Sequence, residues 1–152
     1  MNGEHPPEGI VIVRGTGEGF AQQVIAGSHR FVSDEPGRVG GTDSGPTPYD
    51  LLLASLGSCT SMTVAMYARR KQWPLQRVTV RLRHSRVHAE DCAACETRDA
   101  RLTVIERDIA FEGALDADQR ARLLDIANRC PVHLTLSSKI DIRTRLEPSL
   151  VS

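Results

Sequence analysis

The sequence predicts an α+β fold in which antiparallel sheet packs on one long helix. Short stretches with alternating apolar residues stand on both sides of a much longer helical stretch, residues 47–73. Aromatic residues make up only 4% of the chain and apolar residues 40%, so aliphatic side chains and methionine must build the core. With 152 residues the chain has the size of one ordinary domain, and we expect a single domain over residues 1–152.

The first part of the chain predicts a small meander of strands. Residues 1–9 are polar and rich in proline and glycine, which indicates a loose N-terminus. Three short strands are expected next, at residues 10–14, 21–26 and 29–33, with a tight turn at Gly27 between the last two. Residues 35–46 contain many glycines and no periodicity, so we expect a flexible loop there.

The long helix has a well-marked start. Thr47 is a good N-cap, Pro48 suits the first helical position, and Asp50 completes a variant of the capping box. Trp73 and Pro74 end the helix after about 25 residues, or about 37 Å. Such a helix must run through the middle of a small domain. Its broad apolar surface is formed by Leu52, Ala54, Leu56, Cys59, Met62, Ala65 and Met66.

The second part of the chain predicts a long hairpin. One face of its first strand is expected to carry Val78, Val80, Leu82, His84, Arg86 and His88. Residues 101–111 form the returning strand. A second capping box, Asp116 with Gln119, begins a helix at residues 117–129, whose buried stripe is expected to be Ala121, Leu123, Leu124 and Ala127.

The chain is predicted to end with a short helix and a last strand. The helix at residues 117–129 stops at Cys130 and Pro131, and a short helix follows through Leu136. Ile140, Ile142 and Leu146 alternate with polar residues and indicate a final strand. The predicted order of elements is therefore βββ-α-ββ-α-α-β.

Charge and hydropathy exclude several classes of partner. Lys plus Arg and Asp plus Glu are equal at 19 each, so the chain lacks the positive field that nucleic acids or anionic membranes require. No apolar run is judged to approach the roughly 20 residues of a membrane span, and the N-terminus has no signal segment. We therefore expect a cytoplasmic protein with a small or neutral partner. In that reducing compartment the four cysteines favour catalysis or metal binding over a disulfide framework.

Two cysteines lie in different helical contexts. Small residues around Cys59 leave room beside its sulfur, although a helical cysteine is commonly an inert buried thiol. Cys130 precedes Pro131 and is expected to be the N-cap of the short helix, where helix amides, Arg129 and His133 would favour the thiolate. The alternative is that Cys130 only marks a helix break.

Two motifs around these cysteines resemble the OsmC/Ohr family. The run GPTPYDLLLASLGSCTSMT, residues 45–63, is similar to the family's central-helix signature. The run ANRCPVH, residues 127–133, resembles its second cysteine motif, and the resemblance extends over roughly residues 10–147. It implies an intertwined homodimer in which antiparallel sheets wrap around two long central helices.

The resemblance also implies a function. Cys59 would attack an organic hydroperoxide and become a sulfenic acid, and Cys130 would resolve it as a disulfide. An external thiol or a lipoyl protein would reduce the disulfide, with no bound cofactor. In similar proteins an arginine of the first strand region organises the reactive sulfur, and Arg14 matches it. The glutamate that holds this arginine is replaced by Tyr49, and the neighbouring carboxylate of Asp50 already caps the helix, which suggests an OsmC-like subgroup.

The hairpin tip offers a second group of ligating side chains. Cys92 and Cys95, with His84 and His88 on the preceding strand, could bind zinc, form an accessory redox pair, or serve no chemistry at an exposed tip. We expect no bound metal. Three hypotheses therefore compete. The first is a thiol peroxidase that reduces organic hydroperoxides and also hydrogen peroxide. The second is a stress-related binding module that keeps the fold without efficient catalysis, and the third is a small metal-binding protein that uses Cys92 and Cys95.

Overall fold

The computed structural model describes residues 5–88 and 101–148. The chain forms two compact units, one that ends at Ser55 and one that begins at Leu56. The expectation of a single domain stays a prediction.

The N-terminal unit contains the three-stranded meander that the sequence predicted. Strands β1 (Val11–Gly15), β2 (Gln22–Ala26) and β3 (His29–Ser33) pair antiparallel in the order β1-β2-β3. Gly27 adopts a positive φ of 59° in the turn between β2 and β3, a conformation that glycine adopts without steric cost. The predicted strand bounds are confirmed to within one residue.

The loop after β3 is organised around a buried carboxylate. Asp34 is 2% exposed and accepts hydrogen bonds from the hydroxyl groups of Thr42 and Ser44, at 2.6 and 2.8 Å. The loop also contains a 3-10 turn at Gly37–Val39. A loop that the sequence indicated to be flexible is therefore held by its own hydrogen bonds to Asp34.

Helix α1 (Pro48–Arg70) begins and ends as the sequence predicted. The backbone N–H of Thr47 donates to Asp50 Oδ2 at 3.0 Å, and the backbone N–H of Asp50 donates to Thr47 Oγ1 at 3.2 Å, which completes the capping box. Part of the predicted apolar surface is open, because Met62 is 70% exposed and Met66 51% exposed. The buried residues of the helix are Leu56, Gly57, Thr60, Val64 and Ala68.

The C-terminal unit packs helices on the predicted hairpin. Strands β4 (Leu75–His88) and β5 (Arg101–Gly113) pair antiparallel, and helices α2 (Ala117–Ala127) and α3 (Pro131–Leu136) follow. Asp116 and Gln119 form the predicted capping box of α2. The core of this unit is built from Val64, Ala68, Leu115, Leu123, Ile126 and Ala127.

Two predictions about the C-terminal unit were wrong. The buried stripe of α2 consists of Leu123, Ile126 and Ala127, whereas Ala121 and Leu124 are exposed. α2 carries more apolar residues than one face can bury, and the packed face follows the i, i+3, i+4 pattern from Leu123. The last strand is also absent, because no strand forms over residues 139–148 and Ile142 is 83% exposed. A period-two segment becomes a strand only where another strand bonds to it.

Helix α1 has the length and composition of a membrane span. An 18-residue window of α1 is apolar enough to cross a membrane, so the sequence-based judgement that no run approached this length was wrong. A core helix of a soluble protein meets the same criterion, and Val64 and Ala68 of α1 pack in one core with residues of α2. The window alone is therefore weak support for a membrane span.

Candidate active site

The two cysteines singled out from the sequence lie near each other within the C-terminal unit. Cys59 is on α1, and Cys130 directly precedes α3. Both thiols are free, and Cys130 Sγ lies 3.7 Å from Oγ1 of Thr60, the residue that follows Cys59. Cys59 is half-buried whereas Cys130 is 0% exposed. Cys59 is therefore the more accessible of the two residues, and Cys130 is shielded from solvent.

Cys130 caps the short helix as the sequence predicted. Its Sγ accepts a hydrogen bond from the backbone N–H of His133 at 3.3 Å, and Pro131 occupies the first turn of α3. Arg129 does not supply the positive charge that was expected, because its guanidinium is exposed and pairs with Asp125 at 2.9 Å.

Thr60 joins the cysteine pair to the rest of the unit. Its side chain is fully buried, and its Oγ1 lies 3.7 Å from Cys130 Sγ and 2.7 Å from the carbonyl oxygen of Leu56. A hydroxyl has one proton, so Thr60 donates either to Leu56 or to the sulfur. It donates to the sulfur when Cys130 is a thiolate, because an anion is the stronger acceptor.

Arg107 of β5 supplies the positive charge of the site. Its Nη1 donates to Thr60 Oγ1 at 2.7 Å and to the carbonyl oxygen of Ala127 at 3.3 Å. Its Nη2 donates to Asn128 Oδ1 at 2.9 Å and lies 3.3 Å from His133 Nδ1. These contacts fix the plane of the guanidinium beside the cysteine pair.

The sequence analysis missed Arg107, although a signal for it exists. Along β5 the half-buried face carries Ile105, Arg107, Ile109 and Phe111, whereas the alternate residues are exposed. A single arginine among apolar residues of one strand face needs a buried hydrogen-bonding partner. That interruption of the period-two pattern marks Arg107 as a candidate site residue.

The surroundings favour the anionic form of Cys130. Burial on its own raises the pKa of the Cys130 thiol. Hydrogen bonds from the His133 backbone, the Thr60 side chain and the Cys59 thiol, together with the charge of Arg107, outweigh burial and lower that pKa below its ordinary value. The Cys130 thiol is therefore more acidic than an ordinary cysteine thiol.

A cleft of about 340 Å³ opens beside this cluster. Arg107 and His133 lie in its wall. The remaining lining residues are mostly apolar, namely Leu56, Ile105 and Leu136 with Thr103 and Ser137. The cleft can therefore hold a small molecule with both polar and apolar groups within the C-terminal unit.

Three further candidate residues belong to the N-terminal unit. Arg14 is an exposed residue of β1 and borders a shallow cleft of about 310 Å³ with residues of β2 and β3. Tyr49 is 37% exposed in the first turn of α1, and Asp50 caps that helix. Their predicted roles around the reactive sulfur stay predictions.

The predicted alternative at the hairpin tip lies mostly outside the described residues. Cys92 and Cys95 belong to residues 89–100, and His84 is exposed on β4. Within residues 5–88 and 101–148, no three His, Cys, Asp or Glu side chains form a group able to hold a metal ion. Zinc binding at the tip stays untested.

Comparisons with known proteins agree on the architecture. The family model described as OsmC-like protein matches residues 41–145. The OsmC like protein from Mycoplasma pneumoniae has a similar structure, with a TM-score of 0.66 and 17% identity over 90% of this chain and 89% of that chain. An organic hydroperoxide resistance protein OsmC from Legionella pneumophila gives a TM-score of 0.61 and 17% identity, covering 87% of this chain and 90% of that one.

A third solved structure also has a similar fold. The organic hydroperoxide resistance protein OhrB of Bacillus subtilis gives a TM-score of 0.59 and 17% identity, over 87% of this chain and 92% of that chain. At such identities the likeness establishes the fold alone. No curated protein matches the sequence significantly.

The fold and the proximity of Cys130 to the Cys59 segment of α1 define an α+β protein with two neighbouring thiols. Two thirds of the chain matches one family model, and the described architecture is that of the family's solved structures. The chain belongs to the OsmC-like family.

Proposed function

We propose that this protein is a thiol-dependent peroxidase that reduces organic hydroperoxides. The observation that carries the proposal is that the Cys130 thiol lies beside the Cys59 segment of α1, with its Sγ 3.7 Å from Oγ1 of Thr60, the residue that follows Cys59. Membership of the OsmC-like family supports it, as does the shared fold with proteins named for organic hydroperoxide resistance.

The different exposure of the two sulfurs supports a division of roles. Cys59 is half-buried beside small residues and accepts the oxidant, whereas Cys130 is 0% exposed and resolves the intermediate. A buried resolving thiol is protected from direct oxidation by peroxide, because susceptibility follows exposure as well as thiolate character.

The proposed reaction balances in two steps. The Cys59 thiolate attacks one peroxide oxygen, the O–O bond breaks, and the leaving alkoxide takes a proton to become an alcohol while Cys59 becomes a sulfenic acid. The Cys130 thiolate then attacks the Cys59 sulfur, and an S–S bond forms as hydroxide leaves and is protonated to water. An external dithiol or a lipoyl protein donates two electrons and two protons to restore both thiols.

The proposal also includes three residues of the N-terminal unit. Their roles are supported by the family resemblance alone. Arg14 is proposed to organise the reactive sulfur, with Tyr49 and Asp50 at and beside the position where the family has a glutamate. Because Tyr49 has no negative charge at neutral pH, it would hold an arginine less firmly than a carboxylate does. We therefore expect a rate or peroxide preference that differs from proteins with the glutamate.

We also propose a cytoplasmic homodimer. Large apolar side chains stay exposed in the single chain, among them Met62 at 70% on α1 and Ile142 at 83%. Two copies that pair their long helices would cover Met62, and exposed apolar patches commonly mark such interfaces. Light scattering after size exclusion tests this proposal, and a monomeric mass at micromolar concentration would contradict it.

The peroxidase proposal is tested by cumene hydroperoxide consumption with dithiothreitol as reductant. We expect Cys59→Ser to lower turnover by at least about 100-fold, because no other described thiol has the same combination of access and a neighbouring thiol. Cys92→Ser is the control and should keep the parent rate. Equal activity of the parent and Cys59→Ser would refute the enzymatic role of Cys59.

The disulfide is tested separately by mass spectrometry after one equivalent of peroxide. The parent should lose two hydrogens and contain a Cys59–Cys130 crosslink, whereas Cys130→Ser should accumulate a sulfenic acid at Cys59. Retention of an intramolecular crosslink to Cys59 in Cys130→Ser would assign the resolving role to another thiol.

A further inference from the structure

Arg107 is the charged group that connects the hairpin to the cysteine pair. We propose that Arg107 is a positioning residue that acts through Thr60 to stabilise the Cys130 thiolate, which is the form of the sulfur that closes the disulfide. This inference rests on the proposed peroxidase function and adds a residue that the two cysteine motifs do not contain.

The first support is a continuous chain of contacts. Arg107 Nη1 donates to Thr60 Oγ1 at 2.7 Å, and Thr60 Oγ1 lies 3.7 Å from Cys130 Sγ. Because Arg107 occupies a lone pair of the hydroxyl oxygen, it polarises the O–H bond and makes Thr60 a stronger donor. The hydroxyl proton then stabilises a sulfur anion better than it stabilises the neutral Leu56 carbonyl.

The second support is the fixed direction of the guanidinium. Arg107 donates to Asn128 Oδ1 at 2.9 Å and to the carbonyl oxygen of Ala127 at 3.3 Å. Both acceptors lie just before Cys130 in the sequence. His133 Nδ1 lies 3.3 Å from Nη2 and accepts a hydrogen bond when the imidazole is neutral with its proton on Nε2. Arg107 is thus bound to both sides of the segment that contains Cys130.

The third support is that no carboxylate neutralises Arg107 within the described parts of the chain. Its partners are a hydroxyl, a carbonyl, an amide and an imidazole. Arg83 on the neighbouring strand is the opposite case, because it pairs with Glu106 at 2.7 Å and Asp108 at 3.0 Å. Arg107 therefore keeps its charge for a sulfur anion, and Arg83 provides a matched control on the same sheet.

The consequence for the reaction lies in the second step. Disulfide closure needs a Cys130 thiolate, since the thiolate is the nucleophile that attacks the Cys59 sulfenic sulfur as hydroxide leaves. Arg107 affects the fraction of Cys130 that is ready to attack. This role belongs to the second step, after Cys59 has attacked the peroxide.

The direct test is a thiolate titration without peroxide. In a Cys59→Ser, Cys92→Ser, Cys95→Ser background, Cys130 is the only cysteine, and its ultraviolet thiolate absorbance is followed against pH. Among the described residues, the charged or titratable groups beside Cys130 are then Arg107 from β5 and His133 from α3, whose backbone N–H bonds to the sulfur and whose ring contacts Arg107. Arg107→Met should raise the titration midpoint, Arg107→Lys should restore part of the shift, and Arg83→Met should leave the midpoint unchanged.

Two outcomes overturn the proposal. An unchanged midpoint in folded Arg107→Met would remove the electrostatic role, and an equal shift in Arg83→Met would show a general charge effect. If circular dichroism shows that the Met variant is unfolded, Arg107→Gln decides the matter, because it keeps a donor and loses the charge.

Single-turnover kinetics test the same proposal in the reaction. With all cysteines present, Arg107→Met should close the disulfide at least about tenfold more slowly at neutral pH, a larger change than in the rate of Cys59 oxidation, so dimedone traps more sulfenic acid. Slower oxidation of Cys59 with unchanged closure would overturn the proposal. If the parent Cys59 does not react with peroxide, the proposed function fails, while the titration still decides the role of Arg107.

Discussion

Two buried acidic groups, Asp34 in the N-terminal unit and Cys130 in the C-terminal unit, are both held by hydrogen-bond donors. Asp34 is 2% exposed and Cys130 is 0% exposed. Each has a pKa below its ordinary value, although burial alone raises the pKa of both groups. The two groups differ in where their donors come from.

The donors to Asp34 are local. The Thr42 hydroxyl makes the largest contribution to the lowered pKa, followed by the backbone N–H of Glu35 and the groups of Ser44. All of these donors lie within ten residues of Asp34. Five hydrogen bonds leave the carboxylate with little capacity for another partner, so its role is to shape the loop.

One donor to Cys130, the backbone N–H of His133, is local, whereas the other groups that favour its anion come from distant parts of the sequence. Thr60 is 70 residues away on α1, and Arg107 is 23 residues away on β5. The sulfur anion is a nucleophile, and its neighbour Cys59 is a second thiol. The comparison shows that similar donors build a structural anchor when they are local, and a reactive centre when the fold gathers them around a thiol.

Removing the local anchor should have a large effect on stability. We expect Asp34→Ala to lower the thermal midpoint by at least about 5 °C, because the variant leaves the donors of Thr42 and Ser44 without their acceptor. Differential scanning calorimetry measures the shift. Glu18→Ala, which removes an exposed carboxylate, is the control, and an equal midpoint for both variants would contradict the anchoring role.

A smaller effect, on the rate of disulfide closure, is expected when the Thr60 hydroxyl beside Cys130 is removed. Thr60→Val keeps the volume and loses the hydroxyl, so disulfide closure after peroxide treatment should slow about fivefold. Thr60→Ser keeps the hydroxyl and should close at nearly the parent rate. Rapid-quench mass spectrometry follows the sulfenic acid and the disulfide. If Thr60→Ser slowed closure as much as Thr60→Val, the side-chain volume would matter and the hydroxyl would not.

Features with local causes were predictable from the sequence. Thr47 with Asp50 and Asp116 with Gln119 form capping boxes within four residues, and Cys130 caps α3 through its own turn. Alternation along β4 and β5 was predictable for the same reason, since period-two patterns express one buried face. The fold class and the strand order of the meander followed from these elements.

Features that depend on distant residues could not be predicted in the same way. Nothing near Ile140 or Ile142 in the sequence tells whether a neighbouring strand is present, and the predicted last strand does not form in the single chain. The buried face of α2 depends on Val64 and Ala68, which lie on another helix. Arg107 becomes part of the candidate site only because the fold places it beside Thr60.

The smallest expected effect is a pH dependence of the Asp34 contribution to stability. The pKa of Asp34 lies below its ordinary value in the folded chain, so the folded form binds the proton less readily than the unfolded form. The stabilisation is complete at pH values above the ordinary aspartate pKa of about 3.9 and is lost as pH falls through the lower folded pKa. The difference in unfolding free energy between the parent and Asp34→Asn should therefore be constant above about pH 5 and should shrink below about pH 4. Urea unfolding across this range measures it. A difference that grows on acidification has the wrong sign for a carboxylate held as its anion, and it would show that hydrogen bonding in the loop favours the protonated acid.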